Sequence, residues 1–216
     1  MSIVAYYVQV SLEQLQLLRQ KPVLLWQMKN DARFAKAAML DVDQDWQVIS
    51  WLASPKKRLE QQDYVARMHV LDREERGTKK TDKEAFKKAV EQEMRKMGNQ
   101  PQDTDAMPTD PLLKGIEGRC DKAQRDTAIN FGLGGPCVYA PTEVKAIADA
   151  FALTKESAIK SQFNRVTMAK YDVGGMSWKE EKDSVYEDFL LPSYRAVSQF
   201  YQSAAKAQHY VLVIYN

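Results

Sequence analysis

The sequence predicts an α+β fold: a small mixed sheet that contains both ends of the chain, covered by helices and interrupted by a charged helical insertion. Three observations predict it. Residues Ile3 to Val10 and Tyr210 to Tyr215 are runs of aromatic and β-branched residues, which suit a buried pleated setting and would make poor frayed tails. Between them, apolar residues recur at helical spacing in several segments. From Ser54 to about Asp110 the composition shifts, with lysine, arginine, glutamate and glutamine replacing apolar residues.

At 216 residues the chain fits one domain carrying a sizeable insertion. Its 44% hydrophobic and 28% charged residues are those of a globular protein able to bury a core. The 31 basic and 29 acidic residues leave a net charge of +2, so no global field draws the chain to nucleic acid or to an anionic membrane. Cys120 and Cys137 are too few for a disulfide framework and lack a Cys-x-x-Cys spacing, so they are expected as reduced thiols. No basic segment followed by a long apolar run opens the sequence, and the expected compartment is the cytoplasm.

After the first strand, Ser11 and Gln14 have capping-box spacing ahead of Leu12, Leu15 and Leu18, which predicts a helix to about Lys21. Pro22 is placed to begin another, with Val23, Leu24, Leu25, Trp26 and Met28 as its apolar surface. Asp43 is expected to cap a well-buried helix carrying Trp46, Ile49, Trp51 and Ala53. Within Pro55 to Gln100, thirteen basic and nine acidic residues give a local excess of +4. A helix is expected between Pro55 and Arg76. A second, opened by Thr81 and Glu84 and ended before Gly98, carries the narrow stripe Phe86, Val90, Met94 and Met97.

Pro101, Pro108 and Pro111 mark a loop that closes the insertion. Gly132, Gly134 and Gly135 predict a tight turn before an extended stretch at Pro136 to Tyr139. Val144, Ile147, Ala148 and Phe151 follow the i, i+3, i+4, i+7 template, and Thr154 is expected to cap a shorter helix. Tyr186, Phe189, Leu190, Tyr194, Val197, Tyr201 and Ala205 mark the longest helix, which Pro192 should kink or split.

These landmarks resemble the YfbM-like family, a bacterial domain of unknown function. The stretches that carry the resemblance are Tyr6 to Ser11 before a leucine-rich helix, Leu40-Asp41-Val42-Asp43 leading to Trp46, Gly135 to Tyr139 before Pro141-Thr142-Glu143-Val144, and Phe200-Tyr201 with Ala204-Ala205 before the last strand. The resemblance implies a single domain over residues 1–216 with an insertion at about 54–110. The chain also departs from the family. Positions one and four after the tryptophan often hold histidine there and are Gln47 and Ser50 here, so no proton-transfer role carries over. Ala140 stands where threonine is usual, which removes a helix cap.

Each motif with chemical potential also has a structural reading. Asp41, Asp43 and Asp45 alternate as in a calcium loop, but Trp46 and Leu52 occupy the positions that need glycine and glutamate. Gly132 to Pro136 lacks the lysine and hydroxyl residue of a phosphate-binding Walker loop. His69 and His209 have no spaced partners for zinc, and no Gly-x-Ser-x-Gly elbow occurs. His209 is expected to meet free carbonyls at a helix end. Trp178, in a loop with Gly174 and Gly175, is the aromatic that no helical stripe demands.

The expected function is therefore a non-enzymatic protein-binding module without a cofactor or metal. Its most concrete form is an immunity-type protein that neutralises a bacterial toxin by occluding it. Phe86, Val90, Met94, Met97 and Trp178 are the expected partner contacts, since adaptable apolar groups beside charges suit a protein partner better than nucleic acid. The alternative is an enzyme or small-ligand binder with a cleft near Asp41, Asp43, Gly134 and Gly135.

Overall fold

In the computed structural model, which describes residues 4–34, 37–77, 110–121, 123–130, 132 and 134–216, the two terminal strands lie side by side. β1 (Ala5–Val10) pairs along its length with β4 (Tyr210–Tyr215), and Val4 and Asn216 extend the pairing by exchanging backbone hydrogen bonds of 2.9 and 3.0 Å. β2 (Ala38–Asp41) flanks β1, and β3 (Cys137–Tyr139) flanks β4, giving the order β2-β1-β4-β3. Every pairing is antiparallel, where a mixed sheet was expected. Strand composition does not encode direction, because the same apolar residues serve either pairing.

The central strands are apolar on both faces because helices cover both faces. On one side, Val8, Val10, Leu212 and Ile214 pack with Leu15 and Leu18 of α1 (Leu12–Gln20) and with Leu24 and Leu25 of α2 (Leu24–Gln27). Leu24, Leu25 and Met28 are buried there, while Val23 and Trp26 stay largely exposed. On the other side, Tyr7, Val211 and Val213 face a larger core. It is built from α3 (Asp45–Ala53), α5 (Pro111–Glu117), α6 (Pro141–Leu153) and α9 (Leu191–Ala207). Trp51, Tyr194 and Tyr201 are buried in it, as their helical spacing predicted.

Helix starts follow local chemistry. Ser11 and Gln14 form the expected capping box of α1. Asp43 does not cap α3: it adopts a left-handed conformation (φ 46°), its N–H donates to Asp41 Oδ1 at 2.9 Å, and Gln44 precedes the helix. The short Asp41–Asp43 turn satisfies itself and so moves the helix start to Asp45. Asp45 accepts the Ser193 hydroxyl at 2.6 Å, tying α3 to α9. Before α6, Ala140 offers no side-chain cap, and Glu143 supplies the reciprocal half by accepting the Ala140 N–H at 3.0 Å.

Thr154 ends α6 rather than starting the next helix, its hydroxyl donating to the Ala150 carbonyl at 2.8 Å. α7 (Glu156–Gln162) and α8 (Arg165–Lys170) follow. Pro192 splits the last helix as expected, into a π turn at Tyr186–Leu190 and then α9. The His209 imidazole meets the Gln9 side-chain amide on β1 at 3.0 Å instead of helix carbonyls, and its backbone N–H takes the Ala204 carbonyl.

α5 is a short buried helix at the centre of this architecture. Its Gly115 lies so close to α6 that a Cβ there would stand 2.5 Å from Ile147 Cγ2. Gly118 ends it in the left-handed conformation (φ 52°), against Val213. The last carbonyls of a helix lack intrahelical donors. Here buried tyrosines supply them: the hydroxyls of Tyr7, Tyr201 and Tyr139 donate to the carbonyls of Ile116, Gly115 and Lys114 at 2.5, 2.9 and 2.8 Å.

Candidate functional site

The charged segment leaves the core at Ser54 and returns at Asp110. These two residues meet, the buried Ser54 hydroxyl donating to Asp110 Oδ2 at 2.5 Å, while Asp110 Oδ1 caps α5 by accepting the Leu112 N–H at 2.9 Å. From Ser54 the chain runs directly into α4 (Pro55–Gly77). The first turns of α4 dock through polar groups. Arg58 donates to the carbonyls of Trp51 and Leu52 at 2.8 and 3.0 Å, and the Gln61 amide donates to the Tyr171 carbonyl at 3.0 Å. Arg119 pairs in bidentate fashion with Glu60 at 2.9 and 2.7 Å, and with Glu117, which in turn meets Lys57 at 2.7 Å.

Glu117 is buried, so its two cationic partners offset the cost of removing its charge from water. For Glu60, partial burial works to raise its pKa, but the Arg119 hydrogen bonds and charge prevail and hold it below the usual glutamate value. A carboxyl whose folded pKa is depressed contributes stability above its unfolded pKa, and loses it as pH falls through the folded value. Acidification is therefore expected to loosen α4 before the sheet. Amide exchange over residues 55–62, followed from neutral pH into the carboxylate range, checks this; simultaneous release of α4 and the central strands would refute it.

The described cleft with the most chemistry lies between α7, the start of α8 and the loop that precedes the π turn. Its volume is about 800 Å³. Phe163, Trp178 and Tyr186 form an aromatic floor, with Phe163 edge-on to Trp178 (6.3 Å between centroids) and 5.3 Å from Tyr186. Two ion pairs cross the rim: Arg165 with Asp183 at 2.6 Å, and Lys160 with Glu187. Lys160 also stands over the Tyr186 ring at 5.8 Å. Arg165 reaches the carbonyl of Glu181, and Asn164 caps α8 by accepting the Thr167 N–H at 2.9 Å. Val166, on the rim, is 81% exposed.

Trp178, expected as a surface contact, is 1% exposed, and its indole N–H donates to the Val173 carbonyl at 2.6 Å. The glycine-rich loop folds around it, because a large aromatic surface gains more from burial than from solvent contact. It supports the cleft from beneath. Phe86, Val90, Met94 and Met97, with the helix expected over Thr81 to Gly98, lie outside the described residues.

The second expected site is not assembled. Asp41 and Asp43 sit at the β2 edge and Gly134 and Gly135 precede β3 at the other edge, so β1 and β4 separate them by three strand spacings, about 14 Å. The glycines serve the expected turn, with φ of 87° and 85°, and the Gly135 carbonyl accepts from Arg125 at 3.0 Å. Gln47 and Ser50, at the family's histidine positions, belong to α3; the buried Ser50 hydroxyl donates to the Gln47 carbonyl at 2.9 Å. Among the described residues no group of three His, Cys, Asp or Glu side chains gathers to hold a metal, and no helix is long and apolar enough to cross a membrane.

Cys120 and Cys137 are joined in a disulfide, with Cα atoms 5.8 Å apart, where reduced thiols were expected. Folding brings β3 beside the segment after α5, an adjacency that a separation of 17 residues does not announce.

The chain superposes along its length on a solved structure, the protein of unknown function YfbM from Escherichia coli, with a TM-score of 0.51, 11% identity and 98% of each chain covered. Residues 124–214 match the family described as a domain of unknown function (DUF1877). The fold is YfbM-like. At 11% identity the structural likeness establishes the fold and nothing of the chain's activity. The family match takes in the glycine turn, β3, the cleft and the final helix and strand; α4 and the N-terminal half lie outside it. No curated protein matches the sequence.

Proposed function

We propose that this YfbM-like protein is a non-enzymatic cytoplasmic protein-binding module, in its most concrete form an immunity-type protein that neutralises a bacterial toxin by occluding it. The observation that carries this reading is the cleft above Phe163, Trp178 and Tyr186. It pairs a rigid aromatic floor with a rim whose opposite charges are already engaged with each other, and Val166 projects beside it. Aromatic and arginine side chains in a firm setting are what anchor a partner's side chain, and balanced rim charges set its orientation. Occlusion needs such a surface and no reaction chemistry. The charged segment between residues 54 and 110, with Phe86, Val90, Met94 and Met97, contributes the second contact surface of this reading.

The test uses the full chain as bait against the product of the adjacent gene, followed by calorimetric titration of the recovered pair. Val166→Asp is expected to weaken binding at least tenfold, about 1.4 kcal/mol, while leaving the melting temperature unchanged because the side chain stands in solvent. Unchanged affinity would remove the cleft from the interface. A small molecule that raises the melting temperature of the wild-type chain, but not of Val166→Asp, would instead favour ligand binding in the same cleft.

A further inference from the structure

The disulfide and the dock of α4 share one short segment. Arg119, which grips Glu60 and Glu117, immediately precedes Cys120. Cys137 lies in β3, two residues before Tyr139, whose hydroxyl stands 2.9 Å from the Arg119 carbonyl. The disulfide therefore fastens the segment carrying Arg119 to the edge of the sheet at the point where that arginine must be held to reach α4. The two residues differ in burial: Cys137 is 1% exposed, whereas Cys120 is partly buried. In a reducing compartment a disulfide of this kind is a reversible element rather than a permanent staple.

We propose that the Cys120–Cys137 bond is a redox latch that controls how tightly the first turns of α4 are held against the core. A dithiol reductant supplies the two electrons. Its thiolate attacks the sulfur of Cys120, the less buried residue of the pair, the S–S bond breaks, and the electron pair leaves on Cys137, which takes up a proton. The second thiol of the reductant attacks the mixed disulfide and releases Cys120 as a thiol, and the reductant ends as its own disulfide. Once freed, the Arg119 segment retains its ion pairs but loses its covalent anchor to β3. The bidentate Arg119–Glu60 geometry then has to be maintained against the conformational entropy of a released loop. The latch is read by exchange over α4 and the binding role by affinity at the cleft, so failure of one is distinguishable from failure of the other.

The test is amide exchange on the full chain, oxidised and then treated with dithiothreitol, with free thiols counted in both states. The oxidised chain should show no free thiol and the reduced chain two. Exchange over residues 55–62 should accelerate at least fivefold on reduction and recover on reoxidation, with the central strands unchanged. Cys120→Ser combined with Cys137→Ser should behave as the reduced chain does. Glu60→Gln, with the disulfide intact, should accelerate the same residues, and reduction should add less than twofold to it, because the tie through which the latch acts is already broken. Two free thiols in the untreated chain, unchanged exchange over 55–62 on reduction, or full additivity of Glu60→Gln with reduction would each overturn the proposal.

Discussion

Raising the pH above about 10 is expected to unfold this protein cooperatively, driven by three tyrosines at one helix end. The phenols of Tyr7, Tyr139 and Tyr201 are each 0% exposed, and burial is the main cause holding their pKa values well above the ordinary tyrosine value. Neighbouring charge adds to it: Glu117 for Tyr7, and Glu143 for Tyr139. An acid whose folded pKa is raised keeps its proton in the native state while the unfolded chain releases it. Stability is therefore complete below the unfolded pKa and falls as pH rises beyond it.

Each such tyrosine removes about 1.4 kcal/mol per pH unit in that window, so three together remove about 4 kcal/mol per unit. Against a total of about 5–15 kcal/mol for an ordinary domain, about one to four units suffice. Tyrosinate absorbance and far-ultraviolet dichroism, recorded together, should show these phenols ionising in step with loss of helix. Tyrosinate forming at ordinary pH values on all ten tyrosines, with the fold intact, would contradict the expectation. Tyr201→Phe should make the alkaline transition less steep, with Tyr7, Tyr139 and Tyr215 still contributing. At neutral pH it should cost about 1–3 kcal/mol, because the Gly115 carbonyl is left buried without a donor.

Trp178→Ala is expected to destabilise the fold by about 3–5 kcal/mol, the range for emptying a large buried aromatic site. The side chain is 1% exposed, meets Phe163 edge-on, and bonds to Val173 through its indole nitrogen. In a domain of this size the loss should lower the melting temperature by about 6–20 °C. Trp178→Phe keeps most of the volume but loses the hydrogen bond, and should cost less. A Trp178→Ala chain that melts like wild type would return Trp178 to the surface role that its glycine-rich loop suggested.

The architecture was legible where sequence acts locally or by composition. The capping box at Ser11 and Gln14, the helical stripe from Val144 to Phe151 and the break at Pro192 depend on neighbours along the chain, and each is present. The cleft was legible only in fragments. Trp178 stands out in its glycine-rich loop and Tyr186 on the stripe of the last helix, but Phe163 carries no signal of its own, and nothing periodic announces that the three meet. Asp43 reads as the cap of the helix it precedes because capping propensity is an average; here its N–H donates to Asp41 in a turn that sets its backbone left-handed, and its side chain caps no helix. The polar dock of α4 escaped notice for a related reason. Lys57, Arg58, Glu60, Glu117 and Arg119 read as a solvated charged face until their partners are known.

What the sequence determined by itself is the frame: apart from Gln9, Ile3 to Val10 and Tyr210 to Tyr215 are apolar at consecutive positions, and such strands are stable only when both faces are covered. What the tertiary structure alone decided is how distant groups meet. It set the antiparallel direction of every pairing, joined Cys120 to Cys137, closed Ser54 on Asp110, and turned three tyrosines onto the carbonyl end of α5. Burial is an average property that composition records. Pairing between particular groups is fixed by geometry, and only the folded chain holds that information in readable form.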